Sequence, residues 1–273
     1  METAIWKETP SPDNPFQADE CFCYGYNVAE DLLTNASWID YLFLLISGRR
    51  PNKDESNLLE KLCILLANPG VRDLSVRAAM NAGVAKAPSA STLIAALSVG
   101  SGQIYGAREL VLVMELWKRN FDLDKLDLTF TKADEKGIWP ELNHIPGFDP
   151  HASNTSKQVK DCLNKICEFS TGLYLPWLKN SRKELEKMAK RPLSLISVIA
   201  AGFCDLRLSI QQSEFIFLMS RLPGAAAHAM EQEKLGWRKF PFFADTVSLE
   251  SDAEKKRLPN IESLIEGYIN EPK

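Results

Sequence analysis

The chain has 273 residues, 45% of them hydrophobic, with 32 basic and 36 acidic side chains and a formal net charge of -4. A chain of this length can bury roughly three quarters of its unfolded surface, as one large domain or one domain with a small satellite, so it needs no disulfide or metal to fold. Basic and acidic residues are interspersed, which argues against nucleic-acid binding, because that function needs a basic stripe facing the phosphates.

The sequence predicts neither a membrane span nor a signal peptide. Apolar runs such as 38–46 and 193–204 are shorter than the roughly 18 to 20 residues that cross a bilayer, and the proline-containing start has no apolar signal core. The six cysteines form no paired C-x-x-C clusters, so we interpret them as buried apolar side chains and expect no metal site. The expected location is the cytoplasm. A histidine-dependent mechanism must use His144, His151 or His228.

The spacing of apolar residues predicts a chain that is almost entirely α-helical. Residues 1–20 are rich in Pro, Asp and Asn and are interpreted as an extended arm. Ser37 with Asp40, and Asn52 with Glu55, are capping signals at the starts of the first two long helices. Further helices are predicted at about 73–85, 90–99, 105–119, 156–170, 177–190, 193–203, 210–221 and 260–269.

The segments 193–203 and 210–221 are apolar on nearly every face. This pattern is typical of helices that are enclosed at the centre of a large helical protein. Between 120 and 150 the periodicity is lost, and aspartates, glycines and prolines indicate a mobile connection.

Three segments between residues 20 and 235 carry a family resemblance. The first joins the turn Tyr24-Gly25-Tyr26 to a leucine-rich helix at 36–45 and to Gly48-Arg49-Arg50-Pro51. The second is the loop 145–148, with the sequence Ile-Pro-Gly-Phe, and the third is the run 220–231, with the sequence Ser-Arg-Leu-Pro-Gly-Ala-Ala-Ala-His-Ala-Met-Glu. In this order and at these distances they resemble the citrate synthase and citryl-CoA lyase family.

The resemblance implies an all-α dimer with a large and a small helical domain, a cleft between them, and carbon–carbon bond making or breaking on a coenzyme A (CoA) thioester. It implies that Pro146, Gly147 and Phe148 bind the adenine end of CoA and that Arg221 binds a substrate carboxylate. A homodimer, or a heteromer with an active paralogue, is the expected assembly. The implied organisation is an arm at 1–20, a large domain at 21–120 and 200–273, and a small domain with the cleft loop at 121–199.

The positions where this family keeps its proton carriers hold other residues. Removing a proton next to a thioester needs a base, and the carbonyls need polarising groups. In register, the family's three histidines fall at Pro69, Ile104 and Pro150, and its catalytic aspartate falls at Ile196. A slip of one residue would place His151 at the third position. Since proline and isoleucine transfer no protons, the resemblance implies that the scaffold is kept and the chemistry is lost or altered.

Other side chains could serve a modified reaction. His151 beside Asp149 could form an acid/base pair, because a carboxylate orients an imidazole, or both could be solvated in a loop. Tyr105 could donate a hydrogen bond to a carbonyl or simply pack at a helix start. Arg221, at the end of an apolar helix, needs a carboxylate from the protein or from a ligand. His228, after three alanines, is interpreted as a core histidine.

Three functions therefore remain open. The first is a non-catalytic or modified protein that binds a CoA thioester, a small carboxylate or both. The second is an active enzyme that uses His151, Asp149, Tyr105 and Arg221 for acyl-CoA condensation, citryl-CoA-type cleavage or thioester hydrolysis. The third is a structural or regulatory partner of an active paralogue.

Overall fold

The structure, a computed structural model, describes residues 2–119, 126, 128 and 144–242. Most of the connection predicted at 120–150 and all of the helix predicted at 260–269 lie outside these residues. Within them, helices dominate, which confirms the predicted all-α class. Ten α-helices are described: α1 (Leu33–Asn35), α2 (Trp38–Ser47), α3 (Lys53–Ala67), α4 (Leu74–Val84), α5 (Ser89–Gly100), α6 (Ala107–Arg119), α7 (Lys157–Cys167), α8 (Tyr174–Ala189), α9 (Leu195–Asp205) and α10 (Ile210–Leu235).

Local capping signals set the starts of α2 and α3. The Ser37 hydroxyl accepts the backbone N–H of Asp40 at 3.1 Å, and the Asp40 carboxylate accepts the backbone N–H of Ser37 at 2.9 Å. Asn52 and Glu55 make the same reciprocal pair, with both distances 2.9 Å. Two backbone donors that the helix itself leaves unpaired are satisfied in this way at each start, so both predicted capping boxes are confirmed.

The N-terminal segment forms a β-hairpin. Strand β1 (Trp6–Pro10) pairs antiparallel with β2 (Ala18–Cys23), and β2 pairs with the short β3 (Tyr26–Asn27). A π-helical turn at Val28–Leu32 then leads into α1. The sequence predicted an extended arm at 1–20 but not the pairing of β1 with β2.

Helix α9 is enclosed on all sides, whereas α10 leaves part of its surface exposed. All residues of α9 from Ile196 to Cys204 are buried, which confirms the prediction for this segment. Helix α10 continues beyond the predicted end at 221, through Pro223, to Leu235. Within the predicted segment 210–221 it exposes Phe215 by 53% and Met219 by 38%, so the prediction that this segment is enclosed on all sides was wrong.

The apolar core consists of one large cluster and one small cluster. The large cluster joins buried side chains of α3, α6, α7, α8, α9 and α10. The small one consists of alanines where α4, α5 and α10 meet, and a Cβ built on Gly83 of α4 would lie 2.3 Å from the carbonyl oxygen of Ala229. The boundary predicted at 199/200 falls inside α9, where the large cluster is continuous. Among the described helices, none combines the length and apolarity needed to cross a membrane.

Candidate functional site

Arg221 lies where α10 meets the loops that precede α4 and α6. Its guanidinium forms an ion pair with Asp73, donates to the carbonyl oxygen of Tyr105 at 2.9 Å, and stacks over the Phe217 ring at 4.8 Å from the centroid. The residue is 6% exposed. Burial lowers the pKa of Arg221, against the opposing attraction of Asp73. The carboxylate that this arginine needs is therefore supplied by the protein.

Tyr105 is held at the start of α6 in the left-handed region, with φ of 58°. Its hydroxyl donates to Asp149 at 3.2 Å, and its backbone N–H donates to the Glu109 carboxylate at 2.5 Å. Burial, and next the negative charge of Asp149, raise the pKa of the Tyr105 phenol well above its usual range. Tyr105 is thus a neutral hydrogen-bond donor near neutral pH.

Asp149 and His151 do not face each other through their side chains. The Asp149 carboxylate accepts the backbone N–H groups of His151 at 2.8 Å and Ala152 at 3.0 Å, in addition to the Tyr105 hydroxyl. His151 is exposed. The structure therefore brings Tyr105 and Asp149 together, and it connects Asp149 to the backbone of His151 rather than to its imidazole.

A buried carboxylate that the sequence did not single out, Glu109, lies beside Tyr105 together with His144. Glu109 on α6 is 0% exposed, and its carboxylate accepts the backbone N–H of Gly147 at 2.9 Å. The Nε2 atom of His144 lies 3.1 Å from the same carboxylate, although the contact lacks good hydrogen-bond alignment. The rings of His144 and Tyr105 meet edge-on at 6.5 Å. One sequence signal could have found Glu109, because it is an acidic residue on the buried face of an amphipathic helix.

The loop Pro146-Gly147-Phe148 is buried, and its backbone is already hydrogen bonded. The Gly147 carbonyl accepts the backbone N–H of Ser194 at 2.9 Å and the Ser197 hydroxyl at 2.7 Å, and Phe148 is 0% exposed. Gly147 has a φ of +88°, and a Cβ at this position would lie 2.3 Å from the Ser197 hydroxyl oxygen. These residues brace the loop against α9, so in this structure a ligand can reach the chain that follows the loop but not Phe148.

A pocket of about 490 Å³, which we call the basic pocket, opens next to this loop. It is lined by residues 151–155 and by the end of α8 with the turn that follows, including Lys187, Lys190 and Arg191. Its only acidic lining residue, Glu186, is bonded to Arg182 and to the Thr155 hydroxyl. Three cationic side chains and His151 therefore surround a largely polar space with little opposing charge.

The four positions that the resemblance assigns to the family's proton carriers are distributed over the loops and helices near this site. Pro69 and Ile104 are exposed in the loops before α4 and α6, whereas Pro150 and Ile196 are buried. The loops of the first three are linked through the contacts of Arg221, because this residue bonds to Asp73 and Tyr105, and Tyr105 in turn bonds to Asp149.

His228, in the same run as Arg221, accepts or donates a hydrogen bond at 3.0 Å with the Asn68 side chain. Close packing supports this contact, since a Cβ on Gly224 would lie 2.3 Å from the carbonyl oxygen of Ala67. The run at 220–231 thus holds α10 against the end of α3.

A larger cleft, of about 780 Å³, lies between β3 and the starts of α2 and α3. Its charged lining is mixed, with Asp31, Asp40 and Glu60 beside Arg50 and Lys53. None of the residues singled out in the sequence as catalytic or ligand-binding lines this cleft, and we do not include it in the candidate site.

Comparison with known proteins was made by sequence and by structure. No protein-family model matches the chain, and no curated protein matches its sequence. Citryl-CoA lyase from Hydrogenobacter thermophilus matches with a TM-score of 0.66 at 15% identity, over 97% of this chain and 99% of that chain. ATP citrate lyase from Methanothrix soehngenii, solved in complex with citrate and coenzyme A, matches with a TM-score of 0.64 at 17% identity, over 95% of this chain and 43% of that chain.

Citrate synthase from Thermoplasma acidophilum matches more weakly, with a TM-score of 0.50 at 14% identity, over 83% of this chain and 60% of that chain. This chain therefore spans less than half of the ATP citrate lyase chain and nearly the whole length of the citryl-CoA lyase. Identities this low show a shared fold and nothing further. The chain has the fold of the citrate synthase and citryl-CoA lyase family, as its sequence predicted.

Proposed function

We propose that the protein binds coenzyme A or a CoA thioester through the basic pocket, and that the carbon–carbon bond chemistry associated with this fold is lost or altered in it. The observation that carries the proposal is the cluster of Lys187, Lys190 and Arg191 beside the loop 145–151. Phosphate groups are bound by lysine and arginine side chains through charge-assisted hydrogen bonds, and the pocket provides three such side chains. A protein of the same fold was solved with citrate and coenzyme A.

The loss of the fold's usual chemistry is supported by the groups near Arg221. No proton carrier stands at 69, 104, 150 or 196. The ionisable groups that remain are bonded to one another, since Asp73 pairs with Arg221 and Asp149 accepts from Tyr105. A redirected enzyme that uses His151 as its acid or base has less support, because the His151 imidazole lies away from Asp149 in an exposed position.

The experiment is titration calorimetry with coenzyme A. We expect the double variant Lys187→Glu/Lys190→Glu to bind about tenfold or more weakly, because each lysine contributes about 1 kcal/mol when it faces a phosphate in a hydrated pocket. Lys179→Glu/Lys183→Glu is the matched control, because it makes the same charge change at two exposed positions of α8 outside the pocket. Equal affinities in the double variant and the control would refute the assignment of the pocket.

A second assay tests the chemistry. With citryl-CoA as substrate, the wild-type protein should release no citrate-derived product above the uncatalysed rate. Turnover that disappears in His151→Ala would instead support the redirected enzyme.

We also propose that the protein self-associates through α5. This helix has no charged residue along its whole length from Ser89 to Gly100, and it exposes Ile94 by 61% and Val99 by 43%. A helix with a solvated face normally carries charged side chains there. The small residues between these apolar side chains allow another helix to approach closely, and a second copy offers the same uncharged surface in a symmetric pair.

A further inference from the structure

The carboxylate of Asp73 is fixed on both of its sides. One oxygen accepts the backbone N–H groups of Ser75 at 2.9 Å and Val76 at 3.2 Å, together with the Ser75 hydroxyl at 2.5 Å. The other oxygen faces the guanidinium of Arg221. Asp73 is thus at once the N-cap of α4 and the counter-ion of a buried arginine on α10.

Both terminal nitrogens of Arg221 have partners in the protein, whereas its Nε is buried without one. One terminal nitrogen is directed to Asp73 and the other to the Tyr105 carbonyl, and its ring-side contact is with Phe217. The side chains of Arg221 and Asp73 are 7% and 9% exposed. A free carboxylate that entered here would place a second negative charge beside the first, in a region that water hardly reaches.

We infer that the Asp73 carboxylate takes the position beside Arg221 where a ligand carboxylate would bind, and thereby excludes such ligands. The site would then take a CoA thioester without a second substrate that bears a carboxylate. The statement about the thioester rests on the proposed function. The exclusion of carboxylates at Arg221 stands on the geometry of the ion pair alone.

A tethered carboxylate has two advantages over a free one. It is always present at high effective concentration and loses no translational freedom on pairing. It is also tied to the first turn of α4, because the same side chain caps that helix. A ligand that displaced Asp73 would therefore have to break the cap as well as the ion pair.

The inference predicts chemical rescue in the variant Asp73→Gly. Glycine is tolerated at an N-cap, and its substitution opens a space the size of a carboxylate beside an unpaired, buried guanidinium. Acetate should then bind at Arg221 and raise the Tm of the variant, by about 3 °C at a concentration tenfold above its dissociation constant. The measurement is thermal unfolding against sodium acetate, with sodium chloride at equal ionic strength as the reference.

Two controls make this rescue specific. Asp73→Asn keeps the volume and the capping oxygen but removes the charge, so its Tm should fall and acetate should not restore it. The wild-type Tm should respond equally to acetate and to chloride. Rescue of Asp73→Asn to the same extent as Asp73→Gly, or no acetate effect on a folded Asp73→Gly, would overturn the inference.

A second measurement has a readout that does not depend on the thermal stability of the variants. In calorimetric titration, citrate and malonate should bind the wild-type protein no more tightly than they bind a variant without the ion pair, because any binding at the basic pocket is common to both. Binding of either ligand that is lost in the double variant Asp73→Leu/Arg221→Leu, in which both partners of the pair become apolar, would show that Arg221 does accept a ligand carboxylate and would overturn the inference. Failure of coenzyme A to bind would refute the proposed function and leave these carboxylate results unaffected.

Discussion

At the scale of single residues, Tyr105 connects the parts of the candidate site. A non-glycine residue in the left-handed region costs roughly 1 kcal/mol or more. Tyr105 offsets this with three bonds to three different partners: its N–H to Glu109, its carbonyl to Arg221, and its hydroxyl to Asp149. Its backbone conformation is therefore fixed by tertiary contacts and not by the preference of the residue.

The distribution of bonds around Asp149 separates two substitutions. Asp149→Ala removes the acceptor of two backbone N–H groups and of the Tyr105 hydroxyl, so we expect a loss of about 2–3 kcal/mol in the free energy of unfolding. His151→Ala changes only an exposed side chain and should stay within about 0.5 kcal/mol of wild type. Urea unfolding measures both. Similar losses in the two variants would show that the His151 imidazole makes contacts that this geometry lacks.

Gly147 allows a sharper test, because Gly25 has nearly the same φ angle. Their φ angles are +88° and +85°, but a Cβ on Gly147 meets Ser197 and Val113 whereas a Cβ on Gly25 meets nothing within 4 Å. The left-handed φ destabilises both alanine variants. Only Gly147→Ala should lose roughly 1–3 kcal/mol more in the free energy of unfolding, because its Cβ overpacks the core. Equal losses by urea unfolding would contradict this. A change in coenzyme A affinity without extra destabilisation would support the original expectation that the loop contacts the ligand.

At the scale of elements, the sequence predicted what is determined locally. The capping boxes at Ser37 and Asn52 depend on residues three positions apart, and both helix starts were found. The helix predicted to end at 221 continues through Pro223, although proline lacks an N–H donor, because α10 packs against α3 and α4 as far as Leu235. The hairpin was missed because pairing across residues 6–23 leaves little alternation in so short and polar a segment.

The sequence predicted which kind of group the candidate site requires, but not which residues of the protein meet there. Burial of Arg221 in an apolar helix required a carboxylate, and the sequence left open whether the protein or a ligand supplies it. Asp73 could not be chosen in advance, because it lies 148 positions away along the chain. The contact between Glu109 and His144 was missed for the same reason, since it depends on how α6 packs against the loop before Gly147.

The uncharged helix α5 gives a test of self-association. Ile94→Asp should convert an oligomer into a monomer in sedimentation velocity experiments, because a buried carboxylate without a partner costs several kcal/mol at an apolar interface. Ile64→Asp is the matched control, since Ile64 on α3 is 63% exposed and Ile94 is 61% exposed. A wild-type chain that is already monomeric, or one that both substitutions dissociate equally, would contradict the proposal.

At the scale of the whole molecule, alkaline pH should weaken the fold. All six cysteines are free thiols. Burial raises the pKa of Cys204 from 9.0 to about 12, and it also raises the pKa of Cys63 and of the Tyr105 phenol. A thiol that ionises at pH 9.0 in the unfolded chain but stays protonated in the folded one favours unfolding as the pH rises above 9.0, because only the unfolded state releases the proton.

We therefore expect the free energy of unfolding to decrease steadily between pH 9 and 12, and Cys204 alone to account for about 1 kcal/mol of the decrease by pH 10. Cys204→Ala should be less stable than wild type at pH 7, because it leaves a small cavity, but its stability should fall less between pH 8 and 10. Parallel pH profiles for wild type and Cys204→Ala would mean that water or a nearby cation reaches this thiol in the folded protein, and that the junction of α9 with α6 and α8 is less tightly closed than its packing indicates.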